Sequence, residues 1–380
     1  MSENKNMGMY IHIPFCSQKC DYCDFISYSM DEVAQKKYLQ ALFLEIERTR
    51  TRFVDKTFDT LYIGGGTPSI MYDGFILELS RKLFSSFHFA PDTEFTIEVN
   101  PSSFTREKFF EYLQAGMNRI SVGVQCLDEK LLKEQGRIQS IEDIDKTFEI
   151  LSSSKFDNVS GDIMIGLPKQ DFESIEETVY YLIDRNVKHI STYALQVEKH
   201  TMLYEKVARR KVKLPNEDKV CRMYDVVGEI LTNEGYRHYE ISNFAKPGYE
   251  SRHNMKYWEE VDYLGLGVSA HSYVDGYRFY NTKRLDTYID NLEHGKAPIY
   301  AKEYIDKETR KSERIMLSLR TKKGLDLTKY KNDFGEDLLQ TKKEKIGFML
   351  DKDMIRIEKG FIKISEANTY IANAIIRELM

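Results

Sequence analysis

Tyr10-Ile11-His12-Ile13-Pro14-Phe15-Cys16-Ser17-Gln18-Lys19-Cys20-Asp21-Tyr22-Cys23 is the stretch from which the rest of the chain is read. Met9–Ile13 form a β-type run, and Pro14 stiffens the turn that leaves it. Three of the five cysteines in the chain then fall within eight residues, in a CxxxCxxC spacing. Secreted disulfide frameworks spread an even number of cysteines along a short chain. An odd number, clustered in a chain of 380 residues, points instead to metal. An iron–sulfur cube is normally held by four thiolates; three can wrap it and leave one iron open to a chelating group. Zinc is the competing reading, with His12 or His253 as fourth ligand. Zinc favours paired CxxC knuckles set well apart, and no second cysteine pair exists here. Cys126 and Cys221 are isolated and read as small buried apolar residues.

Outward from this segment, short β-type runs alternate with amphipathic stretches. The runs are Met9–Ile13, Thr60–Ile63, Glu94–Val99, Arg119–Val124, Asn158–Ile165, His189–Leu195 and Arg237–Ser242, rich in Ile, Val, Tyr and Thr. Between them, Gln35–Arg50, Gly74–Phe84, Arg106–Ala115, Ile141–Ser152 and Ser174–Arg185 have helical period. Such alternation predicts an α/β fold with a parallel sheet and crossover helices. GGGTP (64–68), NPSS (100–103), Gln125 and Gly166-Leu167-Pro168 each follow a run. Chemistry at successive strand ends is what a partial or complete (β/α) barrel presents on one face. After Tyr300 the texture changes. Lys307–Leu319, Thr328–Phe334 and Asp337–Lys352 read as three helices, and MIRIEKGFIKIS (354–365) as a hairpin about Lys359-Gly360. We expect a barrel over 1–299 and a small helical, winged-helix-like domain over 300–380.

Composition excludes other classes. The chain is 42% hydrophobic and 30% charged, and no apolar run approaches the roughly 20 residues that cross a bilayer. The opening MSENKNMGMY lacks the basic-then-apolar order of a signal peptide, so cytoplasmic residence is expected. A net charge of -5 gives no electrostatic case for nucleic acid. Arg209-Arg210-Lys211 and Lys342-Lys343 stand among mixed charges and read as solvated helix faces.

CxxxCxxC with Tyr22 just before its last cysteine resembles the signature of radical S-adenosylmethionine (SAM) proteins. The resemblance implies a 4Fe-4S cluster on Cys16, Cys20 and Cys23 whose free iron binds the amino and carboxylate groups of SAM. One electron then cleaves SAM to a 5′-deoxyadenosyl radical, the protein positioning a cofactor that carries the chemistry. GGGTP resembles the glycine-rich stretch of that family for the SAM amino group. YIHIPFC, GGGTP, EVNP, NRISVGVQ and DIMIGLP, spread along the chain, are similar to the oxygen-independent coproporphyrinogen III oxidase group. By that match Tyr10, Gly65 and Glu98 contact SAM. Tyr22, Gly66, Thr67, Gln125, Arg137 and Asp162 match further pocket positions, several of which line a second SAM site in the oxidase. Carboxylates at Glu98 and Asp162 suit ribose hydroxyls or the sulfonium and amino charges. By position alone each reads equally as a solvated strand-end residue, and Arg137 as a surface helix residue.

Two departures separate the chain from the oxidase. The oxidase has a further cysteine two residues after the third, where Phe25 stands here, and a longer segment before the tyrosine strand. Both features resemble the sister group, the heme chaperone HemW family, which binds heme and passes it to acceptor proteins. HNMKYW (253–258), with the only tryptophan of the chain, resembles the HNxxYW motif of that group. It implies His253, Tyr257 and Trp258 as heme residues, since neutral imidazole ligates iron and aromatic rings wall a porphyrin face. From spacing alone His253 reads as well as a satisfied core histidine. His271, in Gly267-Val-Ser-Ala-His271, matches another histidine of the group and is a second candidate ligand. The implied partners are heme, an acceptor protein for it, soluble or membrane-associated, and an electron donor such as flavodoxin or ferredoxin. The runner-up is the oxidase itself, a radical decarboxylation of coproporphyrinogen III in porphyrin biosynthesis. A radical SAM enzyme for another substrate is the third reading.

Overall fold

Two-residue alternation sorts the strands of the first two hundred residues into an apolar face and a polar one. The computed structural model describes residues 6–28, 31–365, 368 and 371–380; the first five residues of the expected barrel domain lie outside it. Strands β1 (Met7–Ile13), β2 (Thr57–Gly65), β3 (His88–Val99), β4 (Arg119–Gln125), β5 (Val159–Ile165) and β6 (His189–Ala194) lie side by side in chain order, all parallel. Met9, Ile11, Leu61, Ile63, Phe95, Ile97, Ile120 and Val122 share the outer face and are buried in the main core. That core includes Leu39, Leu42 and Ile46 of the helix Glu32–Arg50 and Ile76, Leu79 and Leu83 of Phe75–Ser86. The inner face carries Tyr10, His12, Tyr62, Thr96, Glu98, Ser121, Ser160, Asp162 and His189. A closed eight-stranded barrel fills its interior with branched apolar residues; this interior is polar, as suits a lined cavity.

The sheet remains open. Beyond β6 it continues antiparallel through β8 (Asn243–Ala245) to β7 (Arg237–Glu240). On the other side β9 (Tyr263–Leu266) joins β1 in parallel, and β10 (His271–Val274), β11 (Tyr277–Asn281) and β12 (Ile299–Tyr304) follow antiparallel. The twelve strands thus run from β12 at one edge to β7 at the other, a partial barrel. Strand β12 runs on in this sheet to Tyr304.

The C-terminal unit spans the open side. Near one edge Arg278 of β11 pairs with Glu313 of the helix Lys307–Ser318 at 2.8 Å. On the other, the Ile241 amide donates to the Arg320 carbonyl at 2.9 Å, and Thr321 bridges Glu240 of β7. The unit has its own core, including Ile315, Tyr330, Phe334, Ile346, Ile362 and Ile375. Strands β13 (Leu325–Asp326), β14 (Ile355–Glu358) and β15 (Phe361–Ile364) form its sheet. Lys359 and Gly360, both at positive φ, make the tight hairpin turn that the sequence predicts. The third expected helix is broken: Lys342, at φ -113°, separates Leu338–Thr341 from Lys343–Asp351. A further helix, Ala372–Leu379, was not expected. Among the described residues no helix is long and apolar enough to cross a membrane.

Candidate functional site

The cysteine segment is a loop fastened at both ends and in the middle. The Cys16 amide donates to the Tyr28 carbonyl at 3.2 Å, and the Tyr28 amide to the Pro14 carbonyl at 2.8 Å. Midway, the Asp21 amide donates to the Gln135 carbonyl at 2.9 Å, the Leu203 amide to the Asp21 carbonyl at 2.7 Å, and Lys206 pairs with the Asp21 carboxylate. The glycine stretch runs alongside: the amides of Gly66 and Thr67 donate to the carbonyls of Ile13 and Phe15, at 2.7 and 2.8 Å. A Cβ on Gly66 would stand 2.5 Å from the Phe15 carbonyl oxygen, and Gly65 has a φ of +117°. Only glycine allows this approach of backbone to backbone.

The three thiols, each partly exposed, line one wall of a cavity of about 790 Å³. The Thr67 hydroxyl lies 3.6 Å from the Cys16 sulfur, and the Arg137 guanidinium 3.8 Å from that of Cys20. Arg137 also donates to the Tyr22 hydroxyl at 3.1 Å and the Gly123 carbonyl at 3.0 Å, so it is built into the wall rather than lying on a surface helix. Among the described residues no three Cys, His, Asp or Glu side chains are drawn into the shell of one metal ion. A cube spreads its thiolates over different irons, and three thiols around an open cavity beside a cation suit it.

Opposite the thiols, the polar inner face supplies two carboxylates. Glu98 accepts from the Tyr62 hydroxyl at 2.8 Å and the Gly65 amide at 3.1 Å. Burial, with Asp162 adding to it, raises its pKa to about 7. Asp162 accepts from the Ser121 hydroxyl at 3.0 Å and is likewise raised by burial. Gln125 ends β4 at a φ of +70°, a conformation L residues adopt at a cost. Tyr22, Gly65, Gly66, Thr67, Glu98, Gln125, Arg137 and Asp162 all line the cavity with the cysteines. Tyr10 lies a layer below, its hydroxyl 3.0 Å from His12 Nδ1. Sequence reasoning missed Tyr62, Tyr193 and the Ala372-Asn373 rim. Alternation along β2 puts Tyr62 on the inner face with Gly64, a signal that was there to use; nothing in the sequence ties Ala372 to the cavity.

The histidines lie elsewhere. The helix Arg252–Trp258 sits against the amino-terminal ends of β2 and β3, where Glu94 accepts the amides of Arg252 and His253, both at 3.0 Å. His253 is 1% exposed. Its Nδ1 is 2.8 Å from the Thr60 hydroxyl and its Nε2 is 2.8 Å from the Tyr257 hydroxyl. Burial lowers its pKa to about 3, so the ring is neutral. Trp258 ends the helix, partly exposed. His271 is the reverse case. It is exposed on β10, its ring stacked on Tyr280 at 4.9 Å and 18°, and Tyr280 meets Tyr300, itself 71% exposed, at 5.6 Å. Among the described residues neither ring nitrogen of His271 has a hydrogen-bond partner.

A cysteine loop, a glycine strand end and two carboxylates around one cavity in an open (β/α) sheet define a radical SAM protein, and residues 10–182 match the Radical SAM superfamily. Residues 305–367 match the HemN C-terminal domain. The chain belongs to the heme chaperone HemW family. It is 33% identical to the heme chaperone HemW of Bacillus subtilis, over 96% of this chain and 94% of that one. The HemW of Lactococcus lactis is 30% identical, over 99% and 98%, and that of Escherichia coli 35%, over 70% of each chain. Among solved structures, the Escherichia coli coproporphyrinogen III oxidase HemN superposes with a TM-score of 0.86, covering 99% of this chain and 90% of that one. At 22% identity that likeness establishes the fold alone.

Proposed function

We propose that the protein is a heme chaperone: it takes up heme, holds it on its surface and passes it to an acceptor protein, with the SAM cavity as a second, separate site. The observation that carries the reading within this family is the placement of the two candidate histidines. Iron coordination needs a free imidazole nitrogen and room for the porphyrin. His253 has both nitrogens engaged and no space beside it. His271 has both free and stands on a stacked tyrosine platform with an exposed outer ring. We therefore assign heme ligation to His271, with Tyr280 and Tyr300 against the porphyrin face. An exposed seat suits a carrier, which must release its cargo.

A 4Fe-4S cube on Cys16, Cys20 and Cys23 would supply one-electron reductive cleavage of SAM, with the electron from a carrier such as flavodoxin or ferredoxin. Around it, Arg137 would offset negative charge at Cys20, and Glu98 and Asp162, which line the same cavity, would suit the cations and hydroxyls of SAM. Tyr28 links this loop to the heme platform: its hydroxyl donates to the Lys283 carbonyl at 3.0 Å and accepts the Leu285 amide at 2.9 Å, two and four residues beyond β11. That link is a route by which SAM occupancy can bear on heme release. Hemin titration into the wild type and His271→Ala tests the assignment. We expect a stoichiometric heme band in the first and at least tenfold weaker binding in the second. Equal binding by both variants would remove His271 as the ligand.

A further inference from the structure

Tyr62 packs against two rings. Tyr10 stacks with it at 6.1 Å and 29°, and His253 at 5.1 Å and 28°. Its hydroxyl donates to Glu98 at 2.8 Å. His253 cannot slide from beneath it. Thr60, two residues before Tyr62 on the same strand face, holds Nδ1, and Tyr257 on the same helix holds Nε2. Glu94, on the same face of β3 as Glu98, holds the backbone of the helix through the amides of Arg252 and His253. Lys256 pairs with Asp59 at 2.6 Å and secures the next turn. The helix is thus locked to β2 and β3, and through His253 it packs against one phenol whose hydroxyl donates to the cavity-lining Glu98.

We propose that His253 is a positioning residue for the SAM site: its ring fixes Tyr62, and Tyr62 holds the Glu98 carboxylate at the cavity floor. The proposal rests on reading the cavity as the SAM site. It gives the His253 helix a role at a distance from the cavity without requiring that it touch heme. A histidine serves better than an apolar ring because two hydrogen bonds set its plane, and the plane sets the stack. Packed pairs held this way have one arrangement, so a change at His253 is transmitted rather than absorbed. The effect on Glu98 is directional. Donation from Tyr62 favours the carboxylate against burial and the Asp162 charge. Tyr10 and Tyr257 also face Glu98, from β1 and from the helix. Loosening Tyr62 therefore moves SAM binding to higher pH.

The experiment uses the full chain with its cluster reconstituted anaerobically. SAM affinity is measured by calorimetry from pH 6 to 9, and heme affinity by absorbance, for His253→Ala, His253→Phe, Tyr62→Phe and the double variant Tyr62→Phe/His253→Ala. We expect His253→Ala to weaken SAM at least tenfold, move the midpoint of its pH dependence upward, and change heme affinity less than twofold. His253→Phe, which keeps a ring under Tyr62, recovers SAM affinity to within threefold of wild type. Tyr62→Phe, the mildest variant, weakens SAM about tenfold, and adding His253→Ala then costs less than a further twofold, because both act through one hydroxyl. Additive losses, or a Tyr62→Phe variant with wild-type SAM affinity and pH midpoint, would overturn the proposal. So would loss of the heme band in both His253 variants with SAM affinity intact. A wild-type holoprotein that binds no SAM at any pH would instead overturn the cavity reading on which it rests.

Discussion

The two ends of the parallel sheet are built from the same six strands and treat their polar groups in opposite ways. At the carboxyl ends, the chain turns in conformations that most residues avoid, at Gly65, Gln125 and Gly166. It leaves three thiols and two carboxylates facing open space. At the amino ends, His253, Thr60, Glu94, Lys256 and Asp59 are hydrogen-bonded or paired to one another. One end leaves its polar groups around an open cavity and the other encloses them. Both ends carry a segment with a family resemblance, so a motif marks a place that matters without saying whether it binds or supports. What separates the two roles is whether the polar groups line open space, as Glu98 and Asp162 do although each has a partner, or are enclosed, as His253 is.

The largest expected effect breaks the open end alone. Cys16→Ala, Cys20→Ala or Cys23→Ala should take bound iron after reconstitution from about four per chain to near zero. Thermal unfolding should be almost unchanged, because the loop is held by backbone bonds at Tyr28, Gln135 and Leu203. A variant that keeps the cluster would remove that cysteine from the ligand set. Next comes Gly66→Ala, which presses a methyl against the Phe15 and Ile13 carbonyls, at 2.5 and 2.9 Å. Overpacking of this kind costs about 3 kcal/mol, and cluster retention should fall with it. Unchanged denaturant midpoint and iron content would show that the loop can give way there.

A pH comparison sharpens the contrast. Glu98 has a folded-state pKa of about 7 against an ordinary 4.5. The folded chain therefore holds this proton longer than the unfolded one. Its contribution to stability is undiminished below about pH 4.5 and is lost as pH rises through 7, by about 3 kcal/mol at 1.36 kcal/mol per pH unit. His253, lowered to about 3, acts the other way: stability is lost as pH falls below its ordinary 6.5 toward that value. Glu98→Gln should flatten the decline between pH 5 and 7.5 in urea titrations of the cluster-free chain and leave the acid side alone. The same slope in both proteins would refute the assignment. At the closed end, Glu94→Gln keeps the shape but removes the charge from the start of the Arg252–Trp258 helix. It should cost about 1 kcal/mol with iron content unchanged; lost iron would mean that the ends are more tightly coupled. Smallest is Tyr300→Ala, on an exposed ring. Stability should move by less than about 0.5 kcal/mol, while heme affinity falls several-fold. Unchanged affinity would take Tyr300 out of the porphyrin seat.

Much of the open end was legible before the structure. CxxxCxxC after a β-type run, GGGTP after the next and acidic residues at later strand ends are local signals, and the fold brought them together. Other features were not legible. Whether the barrel closes depends on how β7, β8 and β10–β12 pair, which is long-range information that no single run carries. The break at Lys342 and the helix Ala372–Leu379 depend on packing within the C-terminal core. His253 is the instructive case. Its spacing is compatible with a ligand or a core residue, and the choice lies in Thr60, nearly two hundred positions away. Arg137 likewise reads as a helix residue until Gly123 and Cys20 stand beside it.

The most direct test sets the two histidines against each other. The cluster would be reconstituted anaerobically, hemin titrated into the wild type, His271→Ala and His253→Phe, and each protein also supplied with coproporphyrinogen III, SAM and a reductant. We expect a one-to-one heme spectrum in the wild type and His253→Phe, its loss in His271→Ala, and no protoporphyrinogen from any of them. Protoporphyrinogen from the wild type without a stable heme band, or a band that disappears with His253 and survives the loss of His271, would contradict the assignment of a surface heme seat.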